Sequence, residues 1–428
     1  MSKDSKRTIR RLMPDYMDTY VDIYLNAYPA GKDISKECYD KYYNRNMQSL
    51  LEYDHVNFYG LFEDDELISI MKLIDFDINL FGQMNKATGL MSLAVHPLHK
   101  KKGVARDMVK FFEDYTVSSG GLCSMLLPFR IEYYRKMGYG YGTKLDEYRI
   151  PTLQLPSCKD ITNLRLIKKD EIHKVISCYS SFVSSYHGAV CKFEEEIREI
   201  NEDDETRRIG YFEAEELKGY VAFCFTRDSE VNYTLNSMIV SELVYSDGEV
   251  LKKLLAGLRM QADLAQNIVI RTGEADFYHL LDSPEDTSGN YINYGFIQTN
   301  ISAMGNMYKI PDIKSFVEKT SYRKFPVEHI KIGFTVYDEF KDENHSFAIL
   351  FSSDESNLYS SWSFESENND SDLEIKIKLS DLSSLFMGSA DFAPMVRLGI
   401  VSISDKNLTD KVDRLFHLNQ RPFTNTDY

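Results

Sequence analysis

The chain has 428 residues, of which 43% are hydrophobic and 27% charged. This length implies two to four domains at roughly 100 to 200 residues each, and no stretch reaches the roughly 18 apolar residues of a membrane helix. We therefore expect a soluble protein without a membrane partner. An excess of 66 acidic over 50 basic residues gives a net charge of −16, which disfavours binding to nucleic acid and would attract a cationic ligand.

The six cysteines are scattered without a CxxC pair, so we expect reduced thiols and no metal site. The first ten residues are polar and basic, and the apolar stretch typical of a secretion signal does not follow them. A cytoplasmic location is the expectation from these two features.

Apolar periodicity predicts the elements of the first 150 residues. Two helices come first, at residues 12–28 and 35–53. The remaining elements are strands at residues 56–63, 67–75 and 88–95, a helix at 100–116 and a strand at 122–127. This order predicts a mixed sheet with one parallel pair of strands around the helix at 100–116.

From about residue 161 the chain repeats this block. Residues 164–168 echo the segment from residue 9, and residues 208–217 echo residues 58–67. A strand at 241–245 and a helix at 247–262 take the places of the third strand and the helix that follows it. The sequence therefore predicts a duplicated domain.

After residue 310 the pattern changes to short strands at 330–336, 347–351 and 373–379, with a polar turn region between the last two. This change predicts a third, α+β domain. The predicted domains are residues 1–150, 151–310 and 311–428.

The stretch at residues 93–105 combines the end of a strand, a basic loop with a glycine and the start of an amphipathic helix. Helix N-terminal amides bind anions, glycine allows close backbone approach, and the three lysines at 100–102 would add countercharge to a pyrophosphate. The alternative is a solvated lysine run before a surface helix. His96 and His99 flank the loop and are interpreted as loop residues rather than bases.

Residues 100–105, Lys-Lys-Lys-Gly-Val-Ala, resemble the Arg/Gln-x-x-Gly-x-Gly/Ala loop with which GNAT acetyltransferases hold the pyrophosphate of coenzyme A. Lys100 stands where the family usually has Arg or Gln. It keeps the positive charge of an arginine but lacks the planar group that can bind two phosphate oxygens at once. Residues 128–140 resemble the Tyr-x-x-x-Gly-Tyr segment of the enhanced intracellular survival (Eis) family, and residues 379–388 and the ending at 421–428 also match that family.

The resemblance implies an α+β fold of two tandem GNAT-like mixed-sheet domains, the second degenerate, followed by a sterol-carrier-protein-like α+β domain that delivers the C-terminal carboxylate. The second loop, at residues 245–250, is acidic and would repel a pyrophosphate. We therefore expect the second copy to be noncatalytic. The family also implies a homo-oligomer, specifically a hexamer.

Carried over from the Eis family, the general acid falls on Tyr134 and the general base on the α-carboxylate of Tyr428. Tyr133 and Tyr139 are interpreted as core aromatics. Acetyl-CoA is the implied cosubstrate, and the implied acetyl-CoA-binding residues are Leu93, Ala94, Val95, Lys100, Lys101, Gly103, Val104 and Ala105.

The leading hypothesis is an acetyl-CoA-dependent N-acetyltransferase that acts on a small polycationic amine, such as an aminoglycoside, by direct attack on the thioester. Two alternatives stay open. One is acyl transfer to peptide or protein amines, including transfer of a longer acyl chain, and the other is a noncatalytic protein that binds an amine or a lipid.

Overall fold

The computed structural model describes residues 6–29, 33–289, 292–353 and 358–426. Two compact units are formed: one from the chain up to residue 142 together with 306–418, and one from 143–305 together with the tail that starts at Asn419. Within the described ranges, none of the helices combines the length and apolar character that crossing a bilayer requires.

Helices and strands are numbered in chain order. The first segment contains β1 Arg7–Arg11, α1 Met17–Ala27, α2 Lys36–Glu52, β2 Val56–Glu63, β3 Glu66–Leu80, β4 Gln83–Val95, α3 Val104–Ser118, β5 Cys123–Leu126, α4 Ile131–Lys136 and β6 Gly140–Tyr141. The second contains β7 Lys144–Pro151, β8 Leu164–Leu166, α5 Ile172–Ser185, α6 Glu194–Glu202, β9 Arg207–Glu213, β10 Glu216–Arg227, β11 Asn236–Tyr245, α7 Gly248–Arg259, β12 Asn267–Thr272 and β13 Ile301–Met304. The third contains β14 Met307–Lys309, α8 Ile313–Lys319, β15 Ile330–Asp338, β16 Glu343–Ser352, β17 Ser361–Glu365, β18 Leu373–Lys378, α9 Leu379–Phe386, α10 Phe392–Arg397, β19 Ser402–Ile403 and α11 Thr409–Phe416.

The first unit contains a seven-stranded sheet in the order β1-β2-β3-β4-β5-β14-β6. Strands β4 and β5 are parallel, and the other neighbouring pairs are antiparallel. Helix α3 makes the crossover between the parallel pair and buries Val104, Met108 and Phe112 against the sheet. The predicted mixed sheet with a parallel pair around this helix is confirmed.

Four details of the predicted first block are wrong. The chain opens with strand β1, and α1 begins at Met17 rather than at residue 12, because a short 3-10 turn at Pro14–Tyr16 precedes it. Helix α3 begins at Val104 rather than Lys100, because Lys101 and Gly103 have φ of 64° and 80°, which a right-handed helix excludes. Strands β3 and β4 are also longer than predicted.

The second unit repeats this arrangement. Its sheet has the order β13-β7-β12-β11-β10-β9-β8, and β11 and β12 are its parallel pair. Strands β8 to β12 thus follow one another as β1 to β5 do, with α7 in the crossover where the first sheet has α3. The predicted duplication is confirmed.

The third segment contributes a five-stranded sheet, β17-β16-β15-β18-β19, to the first unit. Aromatic rings of Phe316, Trp362, Phe386 and Phe416 fill its core. Helix α9 packs closely on β6, since a Cβ added at Gly140 would lie 2.3 Å from the Ser380 carbonyl oxygen. The third segment therefore supports the part of the first segment that follows β5. The domain limits at 150 and 310 stay predictions.

Candidate active site

A β-bulge interrupts β4 near its end. Ile70 pairs with Ala94 and Lys72 with Met91, so that Met71 lies opposite both Ser92 and Leu93. Ser92 adopts a left-handed φ of 58°. A bulge removes backbone groups from the ladder and redirects the strand, and here the Leu93 carbonyl accepts a 2.7 Å hydrogen bond from the Tyr28 hydroxyl.

The basic loop leads from this bulged strand into α3. Gly103 is the N-cap residue of α3, and no side chain caps the helix there. The amide groups in the first turn of a helix lack partners within the helix, and a glycine N-cap leaves the space in front of them open. The φ of 80° at Gly103 favours glycine at this position.

Lys100, Lys101 and Lys102 are all exposed on this loop. Within the described ranges, none of the three has an ion-pair partner. Their charges add to the positive end of the α3 dipole. The loop therefore has the electrostatics of a site for a multiply charged anion such as a pyrophosphate.

A cavity of about 540 Å³ lies between the bulged strand, the loop and α4. Each sequence-predicted site residue except Tyr428 lines it: Leu93, Ala94, Val95, Lys100, Lys101, Gly103, Val104, Ala105 and Tyr134. The other residues of the lining had no predicted site role, and they are Ala27, Tyr28, His99, Arg106, Phe129, Arg130 and Tyr133. Phe129, Arg130 and Tyr133 belong to the segment at 128–140 that resembles the Eis family, and this resemblance was a signal for them.

Tyr134 lies on the short helix α4 and is 9% exposed. Its ring packs edge-on against the rings of Tyr133 and Tyr139. Burial, and after it the neighbouring Tyr28 and Tyr133, raise the pKa of Tyr134 well above its ordinary value. The phenol is therefore protonated throughout the ordinary pH range, and it is a weaker acid than an exposed tyrosine.

The residue after Tyr134 links α4 to the third segment. Arg135 Nη2 lies 2.7 Å from Asp381 Oδ1, and the Asp381 side chain is 8% exposed. The Arg135 guanidinium also lies 4.5 Å above the Tyr141 ring. This pair holds a helix of six residues that would be marginal on its own.

Tyr28 is the aromatic residue at the end of α1 that faces the same cavity. Burial, followed by the neighbouring Tyr24, raises the pKa of Tyr28 to about 12. Its hydrogen bond to the Leu93 carbonyl therefore joins α1 to the bulge with a protonated phenol. The sequence offers no signal that connects positions 28 and 93.

A second cavity, of about 280 Å³, adjoins the first. The two cavities share Tyr28, Leu93, Phe129 and Tyr134. The rest of the second lining is largely apolar and contains none of the loop lysines: Leu90, Ser92, Leu126, Leu127 and Pro128. The site thus offers a cavity with lysines in its lining and an adjoining, largely apolar cavity, and Tyr134 lines both. This arrangement suits two reactants.

The proposed base, Tyr428, lies outside the described residues, as does Asp427. The tail before them is placed in the second unit. Thr426 is 4% exposed there, and its hydroxyl lies 3.2 Å from the Val190 carbonyl oxygen.

The second unit differs at the helix entry that corresponds to the basic loop. Asp247 is the N-cap residue of α7, and its carboxylate accepts hydrogen bonds from the amides of Glu249 at 2.9 Å and Val250 at 3.0 Å. These amides are the groups that would otherwise face an anion. A carboxylate of the chain itself takes the place that a phosphate would need.

Family models match three segments of the chain. Acetyltransferase (GNAT) domain models match residues 8–142 and 188–299, and a sterol carrier protein domain model matches residues 313–425. The chain therefore contains two GNAT domains followed by a sterol carrier protein domain, as expected. These matches confirm the expectation of an acetyltransferase, and GNAT domains use acetyl-CoA as cosubstrate and act on small amines.

Solved structures resemble the chain along its whole length. A GCN5-related N-acetyltransferase from Anabaena variabilis has a TM-score of 0.77 at 12% identity, and a probable N-acyltransferase from Enterococcus faecalis has 0.75 at 15%. Eis1 from Mycobacterium abscessus has 0.74 at 17%. Each comparison covers 99% of this chain and 100% of the other. At these identities the similarity establishes the fold, and no curated protein sequence matches the chain.

Proposed function

We propose that the chain transfers the acetyl group of acetyl-CoA to a primary amine in its first GNAT domain. One observation carries the proposal: the uncapped, lysine-rich entry to α3, the bulge in β4 and Tyr134 surround a single cavity of about 540 Å³. The pyrophosphate would bind at the α3 entry, with Lys100, Lys101 and the amides that follow Gly103. The pantetheine arm would then run along Leu93, Ala94 and Val95.

The reaction is direct attack. The neutral amine nitrogen adds to the thioester carbon, and the tetrahedral oxyanion is stabilised by a backbone amide aimed at it from the bulged strand. The C–S bond then breaks, the amine proton passes to a base and the departing thiolate takes a proton from an acid.

Tyr134 is proposed as the acid that protonates the departing thiolate. A thiol has a pKa of about 8.5 and can also leave as a thiolate, so Tyr134 accelerates the step without being indispensable to it. The burial that raises its pKa keeps the phenol protonated but also makes it a weaker acid, which limits the rate that Tyr134 can add.

The terminal carboxylate of Tyr428 is proposed as the base, on the strength of the resemblance to the Eis family. An ordinary α-carboxyl group has a pKa of roughly 3.3 to 3.7 and is a weak base towards an ammonium ion. Burial or the neighbouring Asp427 would raise that pKa and strengthen the base.

A polycationic amine, such as an aminoglycoside, is the proposed substrate class. The net charge of −16 supports it, because an acidic protein attracts cations over a distance. The described lining of the two cavities contains no Asp or Glu. The attraction would therefore come from the acidic surface and the C-terminus rather than from these walls.

Two further expectations stay proposals. By resemblance the protein would assemble as a hexamer, which light scattering tests as a mass six times that of the 49.6 kDa chain. A cytoplasmic location would supply acetyl-CoA, and fractionation of cells that produce the protein tests it.

The test of the function is release of free thiol from acetyl-CoA with a panel of polycationic, apolar and peptide amines. The native chain is compared with a chain extended by three residues after Tyr428, and with a control extended at its N-terminus. We expect turnover that the C-terminal extension abolishes and the N-terminal one preserves. Undiminished turnover after C-terminal extension would remove Tyr428 from the mechanism, and no turnover with any amine would contradict the transferase proposal.

A further inference from the structure

The second unit contains a counterpart of the catalytic cavity. Tyr186 ends α5 as Tyr28 ends α1, and both face a cavity. Leu243 and Tyr245 lie at the end of β11, where Leu93 and Val95 lie at the end of β4. The two cavities are therefore built from the same parts of the GNAT fold.

The register of the parallel strands extends this correspondence to the following loop. Ala87 pairs with Cys123 in the first sheet, and Ser237 pairs with Asn267 in the second. Counting six residues onward from Cys123 gives Phe129, and counting six onward from Asn267 gives Gly273. Both residues line their cavities, so the second domain has a glycine where the first has a phenylalanine.

A phenylalanine from the C-terminal tail fills the space beside Gly273. A Cβ added at Gly273 would lie 2.6 Å from the ring of Phe423. The Phe423 ring also packs against Tyr186, with a centroid distance of 6.3 Å. What remains of this cavity measures only about 20 Å³, against about 540 Å³ in the first domain.

Pro422 and the backbone of Phe423 are also held by specific contacts. A Cβ added at Gly188 would lie 2.5 Å from Pro422, and the Pro422 carbonyl accepts a 3.2 Å hydrogen bond from Thr143 Oγ1. The Phe423 amide donates to the His187 carbonyl at 3.3 Å. Tight packing against a glycine together with specific hydrogen bonds indicates that the second unit has a binding site for this part of the tail.

The last described residues are held by hydroxyl groups. Thr424 Oγ1 accepts a hydrogen bond from the Val190 amide at 3.3 Å, and Thr426 Oγ1 lies 3.0 Å from the buried Tyr179 hydroxyl. A buried hydroxyl group that is left without a hydrogen-bond partner destabilises the fold. The hydrogen bonds of these threonines therefore favour this placement of the tail over others. The tail is therefore bound up to two residues before its end.

We propose that the former acyl-donor cleft of the second GNAT domain is the binding site for the chain's own C-terminal segment, residues 422–426. The domain has lost the anion site at Asp247 and the phenylalanine at position 273, and it uses the vacated cleft to hold the tail. By holding the tail, the second domain fixes the position of the terminal carboxylate that acts in catalysis. This consequence for catalysis rests on the proposed role of Tyr428 as the base.

The test is a pair of substitutions in the full chain. Gly273→Phe restores the residue type of the first domain and excludes the Phe423 ring, whereas Phe423→Ala removes the ring itself. Phe423→Leu keeps an apolar side chain, and Tyr233→Ala removes a 79% exposed ring from the same unit as a control. Amide hydrogen exchange of peptides covering 419–426 is measured together with kcat and KM for acetyl-CoA.

We expect Gly273→Phe and Phe423→Ala to speed exchange in the tail at least tenfold and to lower kcat about tenfold, with KM for acetyl-CoA within twofold. Phe423→Leu should retain most of the tail protection and most of kcat. Tyr233→Ala should change neither the tail exchange nor kcat. Unchanged tail exchange in both variants would overturn the proposed binding site, and faster exchange with undiminished kcat would overturn its catalytic consequence. A wild-type chain without turnover would instead contradict the proposed transferase function, while hydrogen exchange would still decide whether the cleft binds the tail.

Discussion

The two GNAT domains share a strand order but differ at the helix that follows the central strand. In the first domain, Gly103 leaves the first turn of α3 open beside a run of lysines. In the second, the Asp247 carboxylate occupies the equivalent turn of α7. The sheet therefore provides the scaffold in both domains, and the N-cap position leaves the helix amides open in the first and occupied by a carboxylate in the second.

The clefts of the two domains also differ in what they contain. The first has room for a cofactor and a second reactant, in cavities of about 540 and 280 Å³. The second retains about 20 Å³ beside Phe423. A duplicated fold thus has one copy open to ligands and one filled by its own chain.

The largest effect is expected from giving the first domain the N-cap of the second. Gly103→Asp should weaken acetyl-CoA binding about 100-fold, since a carboxylate would compete for the α3 amides and repel the pyrophosphate. Gly103→Asn is the matched control, because asparagine has a similar shape, tolerates positive φ and lacks the charge. The measurement is the Kd for acetyl-CoA by calorimetry.

The difference between the two Gly103 variants isolates charge from backbone strain. Equal losses in both would show that conformation at position 103 matters and charge does not. Binding retained by Gly103→Asp would place the cofactor elsewhere and remove the contrast between the domains.

The next effect is expected at Tyr134. Tyr134→Phe removes the proton donor and should lower kcat about 10- to 100-fold. This loss is at the low end for general acid catalysis, because a thiolate can leave without being protonated. KM for acetyl-CoA should change less than twofold. Tyr278 follows Asn267 by eleven residues, as Tyr134 follows Cys123. Tyr278→Phe is therefore the control and should leave steady-state kinetics unchanged. Equal losses in both variants would argue against an acid in the first domain alone.

A smaller effect concerns pH. The pKa of Tyr134 is raised well above its ordinary value by burial, so its proton stays bound as pH rises and its loss cannot limit turnover below about pH 10. We expect the kcat profile to rise with pH and then remain level up to pH 10. A decline between pH 8 and 10 in the wild type that is absent in Tyr134→Phe would show that Tyr134 ionises in that range.

The smallest effect is expected from the third segment. Asp381→Asn weakens the contact with Arg135 that steadies α4, and should lower the free energy of unfolding by about 1 kcal/mol and kcat about twofold. Thermal unfolding and steady-state kinetics measure these changes. Asp410→Asn, on the exposed first turn of α11, should alter neither, and a full loss of turnover in Asp381→Asn would give this pair a direct role in the reaction.

Periodicity and repetition predicted most of the fold. The strands at 56–63 and 67–75, the parallel pair and the repeat could be predicted because alternation and helical spacing are local signals. Strand β1 was missed because its five residues contain three arginines and one isoleucine, which offers no apolar alternation. The start of α3 was misplaced because lysines are good helix formers, and only the backbone reveals left-handed φ at Lys101.

The loop and Tyr134 were predicted because a resemblance connects residues that are near one another in sequence. Tyr28 was not, since its bond to Leu93 joins positions 65 residues apart. The pairing of Phe423 with Gly273 was likewise invisible, because nothing local to a glycine says which distant ring will occupy its missing side chain. Contacts of this kind depend on the assembled fold.

The stoichiometry of acetyl-CoA binding to the wild-type chain tests the contrast between the domains most directly. Calorimetric titration should give one site per chain, because the first domain has an open anion site and the second has Asp247 and the tail in its place. Two sites per chain, or one site that survives Gly103→Asp, would contradict this account.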